Sequence, residues 1–182
     1  MLRIDLEKSL SHSDLDLKNL SAFQRILLTT DGTVTEILEA QFWEQINLIK
    51  LFQEKRISDV DIPYLEIRSG TEILVRKILL HGGDSKTNYI YAESILVPEQ
   101  LDASLQEGLI NTDKPLGRLM IEAKTETFRE ILSCKKEKAE ELGEHFDQTV
   151  DAILISRTYR IFADQKPIML ITEKFPETAF RN

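Results

Sequence analysis

The sequence predicts an α+β domain: an antiparallel sheet of about six strands, with helices ahead of and between them. Three observations carry this reading. Residues 71–98, TEILVRKILLHGGDSKTNYIYAESILVP, alternate with the period of two that marks a pleated strand. They turn at His81-Gly82-Gly83-Asp84-Ser85 and return through a stretch rich in β-branched and aromatic residues. A second such pair, residues 152–162 and 167–175, flanks the loop Ala163-Asp164-Gln165-Lys166. Between and before these pairs lie helix-start signals, a Ser or Thr followed three residues later by Gln or Glu.

Residues 1–17 mix acids with apolar residues and form a lead-in to the domain, which is expected to span the whole of residues 1–182. Ser21-Ala22-Phe23-Gln24 is a capping box that opens a helix through Leu28, and Asp31-Gly32 breaks it. Thr33-Val34-Thr35-Glu36 is a second box, starting a short helix. Residues 42–53 favour a strand by alternation, although so dense an apolar run also permits a helix. Residues 58–70 form a loop of the size that covers sites. Pro98 begins a helix running to about Gly108, and residues 111–118, NTDKPLGR, are irregular, with Leu116 held in a turn between Pro115 and Gly117. Residues 125–134 read equally as strand or helix, and the charged run 135–144 reads as helix.

Composition narrows the function. The 182 residues carry 23 basic and 31 acidic side chains, a formal charge of −8 with no basic cluster, which argues against nucleic acid and anionic membrane surfaces as partners. No apolar run approaches a membrane span, and the N-terminus has no signal-peptide shape. The single cysteine, Cys134, forms no intrachain disulfide and fits a reducing cytoplasm; three scattered histidines argue against structural zinc. An anionic small molecule would need local positive charge in its pocket.

Two charges stand on apolar strand faces. Arg76 shares a face with Leu74, Ile78 and Leu80, and a buried guanidinium must meet an anion. Glu173 lies in the alternating run Ile168–Glu173, on a face that is otherwise apolar. Either the two bridge one another or lie on a solvated face, or they clamp a ligand: arginine takes a carboxylate bidentately, while a partly desolvated glutamate holds a hydroxyl or moves a proton. Of Arg157 and Arg160 in SRTYRIF, one points inward, and parity leaves open which. His145 falls in the charged run and reads as solvated; Cys134 has no histidine near it in sequence.

The series S-A-F-Q, D-G-T-V-T, VRKILL, YIYAESILVP, KPLGRLM, SRTYRIF and KPIMLITEKFP, in that order over residues 21–176, resembles the chorismate pyruvate-lyase family, particularly its little-characterised prokaryotic branch. The resemblance implies an antiparallel sheet with helices over one face and a buried ligand cavity, without cofactor or metal. It implies an enzyme that eliminates pyruvate from chorismate, leaving 4-hydroxybenzoate. Arg76 would bind the ring carboxylate, Glu173 would act at the ring-oxygen and proton-transfer end, and the backbone amides of Leu116 and Val34 would complete the cavity. Val34 stands where better-known members carry methionine. Residues 33–40 and the loop after Ser58 would cover the site, and residues 135–147 are longer and more charged than the family's connection. The same fold also serves as an effector-sensing domain, so the competing reading is a non-catalytic domain that binds an aromatic acid. Another cyclohexadiene or aromatic carboxylic acid is the remaining alternative for the ligand.

Overall fold

The computed structural model describes residues 15–112 and 114–181. Most of the lead-in lies outside them; its described end is a 3₁₀ turn, Leu17–Asn19, capped by Asp16. Six strands follow: β1 (Ile46–Ile57), β2 (Glu72–Gly82), β3 (Asn88–Leu96), β4 (Phe128–Lys138), β5 (Ile153–Ala163) and β6 (Lys166–Pro176). They form one sheet in the order β1-β2-β3-β6-β5-β4, and every neighbouring pair is antiparallel. Four helices, α1 (Ala22–Thr29), α2 (Val34–Phe42), α3 (Ala103–Asn111) and α4 (Leu116–Glu122), precede the two meanders in pairs. Each half of the chain is therefore two helices followed by three strands, and the halves meet along β3 and β6.

The halves repeat each other in register, an internal repeat that residue identity conceals. In the first, Gln53 of β1 faces Arg76 of β2, which faces Ser94 of β3. In the second, Cys134 of β4 faces Arg157 of β5, which faces Glu173 of β6. The bulge between Lys50 and Phe52 in β1 has its counterpart between Ile131 and Ser133 in β4. The irregularity at Leu80/His81 is matched at Ile161/Phe162. Bulges re-aim side chains, so their matching positions keep the same residues of both halves on the same face.

The helices cover one face of the sheet. Leu27, Leu28 and Leu38 from α1 and α2 pack with Leu80, Ile90, Ile155 and Phe175, while Leu105, Leu109, Leu119 and Met120 from α3 and α4 pack with Leu74, Tyr159, Ile161 and Ile171. Each such buried leucine contributes about 2 kcal/mol. The capping box at Ser21 is made in full: its Oγ accepts from the Gln24 amide at 3.1 Å, and its amide donates to Gln24 Oε1 at 3.0 Å.

Several local expectations change. Thr33 caps α2 without a side-chain hydrogen bond. Its methyl group packs instead where a Cβ on Gly117 would lie, 2.1 Å away, so glycine lets α4 approach α2. The strand expected over residues 42–53 begins at Ile46, because Phe42 ends α2 and Trp43 takes a left-handed conformation with φ 55°. Pro98 opens a 3₁₀ turn, and Asp102, accepting from the Leu105 amide, starts the helix instead. Residues 111–118 are less irregular than expected, since Leu116 begins α4. Of the ambiguous residues 125–134, those from Phe128 on join the first charged residues after them in β4, whose position at the sheet edge lets lysines and glutamates reach solvent. The loop over residues 58–70 does not cover the cavity described below. Leu65 and Ile67 pack with Ile73 and Val97 on the opposite face of the sheet. The 3₁₀ segment Glu140–Phe146 covers that same far face through Phe146, packed with Leu79, Tyr91 and Leu154. His145, expected to be solvated, is half-buried and stacked on Tyr91 with ring centroids 5.8 Å apart.

Candidate functional site

Beneath the helices, the middle of the sheet is built from two adjacent rows of side chains. One row runs Gln53, Arg76, Ser94, Ile171, Tyr159, Ile131 from β1 to β4; the next runs Lys50, Ile78, Ala92, Glu173, Arg157, Cys134. Over these rows lies a cavity of about 70 Å³, room for several waters or a compact organic molecule. Its floor includes Arg76, Ile78, Ala92, Ser94, Ile171 and Glu173. Its roof comes from the starts of two helices, Thr33–Thr35 and Pro115–Gly117, with Met120 behind them. The structure thus brings Arg76, Glu173, Val34 and Leu116 to the wall of one chamber.

The two charged ends differ. Arg76 is 2% exposed, and its Nε donates to Gln53 Oε1 at 2.9 Å. Gln53 in turn donates to the Leu109 carbonyl of α3 at 3.4 Å, which ties the arginine's orientation to the helical layer. Glu173, 9% exposed, is held on both oxygens: Arg157 Nη2 donates to Oε2 at 2.8 Å and the Tyr159 hydroxyl donates to Oε1 at 2.9 Å. Arg157 also donates through Nη1 to the Thr30 carbonyl at 2.9 Å, and its guanidinium lies over the Tyr159 ring at 4.6 Å. Burial works against the Arg157 charge, but the Glu173 carboxylate outweighs it and holds the guanidinium above its ordinary value. Burial, then the charge of Glu173, pushes the Tyr159 phenol upward, so it stays protonated and donates.

Arg157 is therefore the inward arginine that parity left open. Arg160 lies on the opposite face, against Glu130 and the Tyr64 carbonyl. Four residues of the site were not singled out from sequence: Gln53, Ser94, Arg129 and Tyr159. Tyr159 and Ser94 carry a usable signal, since each shares strand parity with a residue on the apolar face, Arg157 and Ala92. Gln53 does not, because the bulge between Lys50 and Phe52 resets the parity of β1. Arg129 lines the cavity from β4, with its amide and Nη1 donating to Asp31 Oδ1 and the Asp31 carbonyl at 3.1 and 2.6 Å.

Among relatives, the chorismate pyruvate-lyase of Mycobacterium tuberculosis is 29% identical over 176 residues, covering 93% of this chain and 87% of that protein. Among solved structures, PhnF from Mycobacterium smegmatis matches with a TM-score of 0.65 at 13% identity, over 84% of this chain and 66% of its own. The separate effector domain of PhnF matches at 0.62 and 13%, over 80% of this chain and 88% of that domain. Further structures of this fold are described as transcriptional regulators or as their ligand-binding domains. These findings correct the expectation of a lyase. Several solved structures that share the fold are described as regulators or effector domains, and 29% identity does not carry the relatives' reaction over to this chain. Glu173, the group expected to move a proton, is engaged on both oxygens by Arg157 and Tyr159. Pyruvate elimination is withdrawn, and with it the catalytic roles of Arg76 and Glu173. What the sequence does fix is kinship: a family profile matches residues 28–181, and the chain belongs to the family described as Chorismate pyruvate-lyase Rv2949c-like.

Proposed function

We propose that the chain binds a small aromatic carboxylic acid in this cavity and releases it unchanged, as an effector-type binding domain does. One observation carries the reading: a buried arginine lines a partly open, mostly apolar cavity, while the cavity's carboxylate is already committed to a second arginine. An arginine held at Nε by Gln53 presents a planar, permanently charged fork that suits a carboxylate. Apolar walls from Ile78, Leu80, Met120, Ile161 and Ile171 favour a hydrocarbon ring over a sugar or a phosphate ester. The relatives' name, which includes chorismate, fits a small carboxylic acid, and the effector-domain title of a fold neighbour fits a binding role.

Isothermal titration calorimetry with 4-hydroxybenzoate is the direct test. Saturable binding at one site per chain is expected, weakened about 100-fold by Arg76→Gln, which removes a charge-assisted pair. Incubation with chorismate is expected to release no pyruvate. Enzymatic pyruvate release, abolished by Arg76→Gln, would overturn the binding-only reading.

A further inference from the structure

We infer that residues 177–181 form a strap that clamps α1 and α2 onto the sheet, and that its detachment lets this helix pair lift and opens the cavity. The inference adds a control to the proposed binding site and takes that reading as its ground, although its first test needs no ligand. After β6 the chain turns at Pro176, whose carbonyl accepts from the Ala179 amide at 2.9 Å, and meets the start of α1. Gln24, 1% exposed, holds its backbone: Nε2 donates to the Glu177 and Ala179 carbonyls at 2.9 and 2.6 Å. The Ser21 hydroxyl donates to the Phe180 carbonyl. Both residues of the capping box thus serve the helix start and the strap together.

The Phe180 ring makes the clamp. It packs against Phe23 of α1, Phe42 at the end of α2, Tyr89 of β3 and Phe175 of β6, with centroids 5.3, 5.8, 6.1 and 5.5 Å away. One side chain therefore joins both helices to the sheet. Phe23 also meets Phe42 edge-on at 6.1 Å, so α1 and α2 fold back on each other as a helical hairpin. The tip of that hairpin reaches the cavity through Gly32 and Thr33, while its base, Ser21 and Phe42, lies at the strap. A lever held at its base cannot swing its tip. The strap is also an element that opens easily: it is half-buried or exposed throughout, and its ties to the strands are the Glu177 amide on the Ile153 carbonyl and the Lys136–Glu177 ion pair.

The chain carries its own reporter. Cys134, the single cysteine, is 1% exposed and packs with Leu27, Leu28 and Leu38 beneath the helix pair, so its labelling by a small methanethiosulfonate reads how often the pair lifts. In the ligand-free whole chain, Phe180→Ala is expected to label about 10-fold faster, the effect of losing a half-buried ring. The urea dependence of that rate is expected to be much shallower than that of global unfolding. If Phe180→Ala does not fold, Phe180→Leu takes its place, with about a threefold gain expected. A parent-like rate, or a urea slope equal to that of global unfolding, overturns the inference. Stopped-flow mixing with 4-hydroxybenzoate then separates a gate from mere loosening. A gate sends both directions through one opening, so association and dissociation are expected to rise by the same factor, with Kd within about twofold of the parent. Faster dissociation with unchanged association overturns it. If the parent binds no acid, the binding reading falls, and the thiol rate alone decides the strap.

Discussion

The two halves of the molecule solve one problem in opposite ways. Both place an arginine in the middle strand of a meander, facing the helices, with bulges at matching positions to keep it there. In the second half the protein supplies the anion itself: Glu173 meets Arg157, and Tyr159 completes the set. In the first half the ladder neighbours of Arg76 are Gln53 and Ser94, both neutral, and the space over them is the cavity. The second half is self-complementary. Its counterpart keeps the same cation and places it at a chamber wall. One half thus answers its arginine with its own carboxylate, and the other sets its arginine at a cavity wall, on the same backbone plan.

The largest expected effect tests the second half. Glu173→Ala leaves the Arg157 guanidinium buried beside an empty seat, and urea unfolding is expected to show a loss of about 3–5 kcal/mol. The equivalent truncation in the other half, Ser94→Ala, removes one hydroxyl from a cavity wall, and less than about 1 kcal/mol is expected. Equal losses from both would mean that the halves do not divide as argued. Tyr159→Phe, which removes one donor to Glu173, is expected to fall between them, at about 1–2 kcal/mol.

How much of this could be read from sequence depends on how local each cause is. The hairpins, the capping box at Ser21 and the number of strands follow from spacing within a few residues, and the antiparallel sheet was legible from them, whereas the helices on one face were implied only by the family resemblance. Arg76 and Glu173 were found because a charge in an alternating apolar run is conspicuous within its own strand. The partner of Glu173 was not found. Arg157 and Arg160 are three apart and so face opposite sides of β5, and only the pairing of β5 with β6 decides which meets Glu173. Nor could the equivalence of Ser94 and Glu173 be read, because it arises from the register of four strands. Along the equivalent rows Arg76 and Arg157 are the one identical pair, while Gln53 faces Cys134's place and Ser94 faces Glu173's. The segment after Cys134 misled through its charges, which suit an exposed helix and an edge strand equally.

The turns extend the comparison at smaller scale. The β5–β6 hairpin closes on two residues, Asp164 and Gln165, both left-handed with φ of 48° and 63°, between the paired Ala163 and Lys166. A two-residue turn of this kind favours Asn or Asp followed by Gly, because only glycine takes the second position without a Cβ penalty. Gln165→Gly is therefore expected to stabilise the chain by about 0.5–1 kcal/mol, read as an upward shift in the urea midpoint with an unchanged slope. No gain would mean that the rest of the sheet, not the turn, sets the cost of this hairpin.

The β2–β3 turn is longer and is held from outside. Glu44, just past α2, accepts from the Asp84 and Ser85 amides at 2.9 Å each and from the Tyr89 hydroxyl at 2.5 Å. The Tyr89 hydrogen bond, followed by the Ser85 amide, lowers its carboxyl from 4.5 to about 2. A depressed carboxylate strengthens the folded state above its ordinary value and loses that contribution as pH falls through the folded one. The tether is therefore intact at pH 4.5 and releases near pH 2. Amide chemical shifts of Asp84 and Ser85 are expected to titrate with a midpoint near 2, while those of Asp164 and Gln165 show no such step. In Tyr89→Phe the midpoint should move upward toward 4.5, since the largest of the lowering contacts is gone. A midpoint already near 4.5 in the parent would mean that the first hairpin, like the second, holds itself, and this part of the contrast between the halves would be lost.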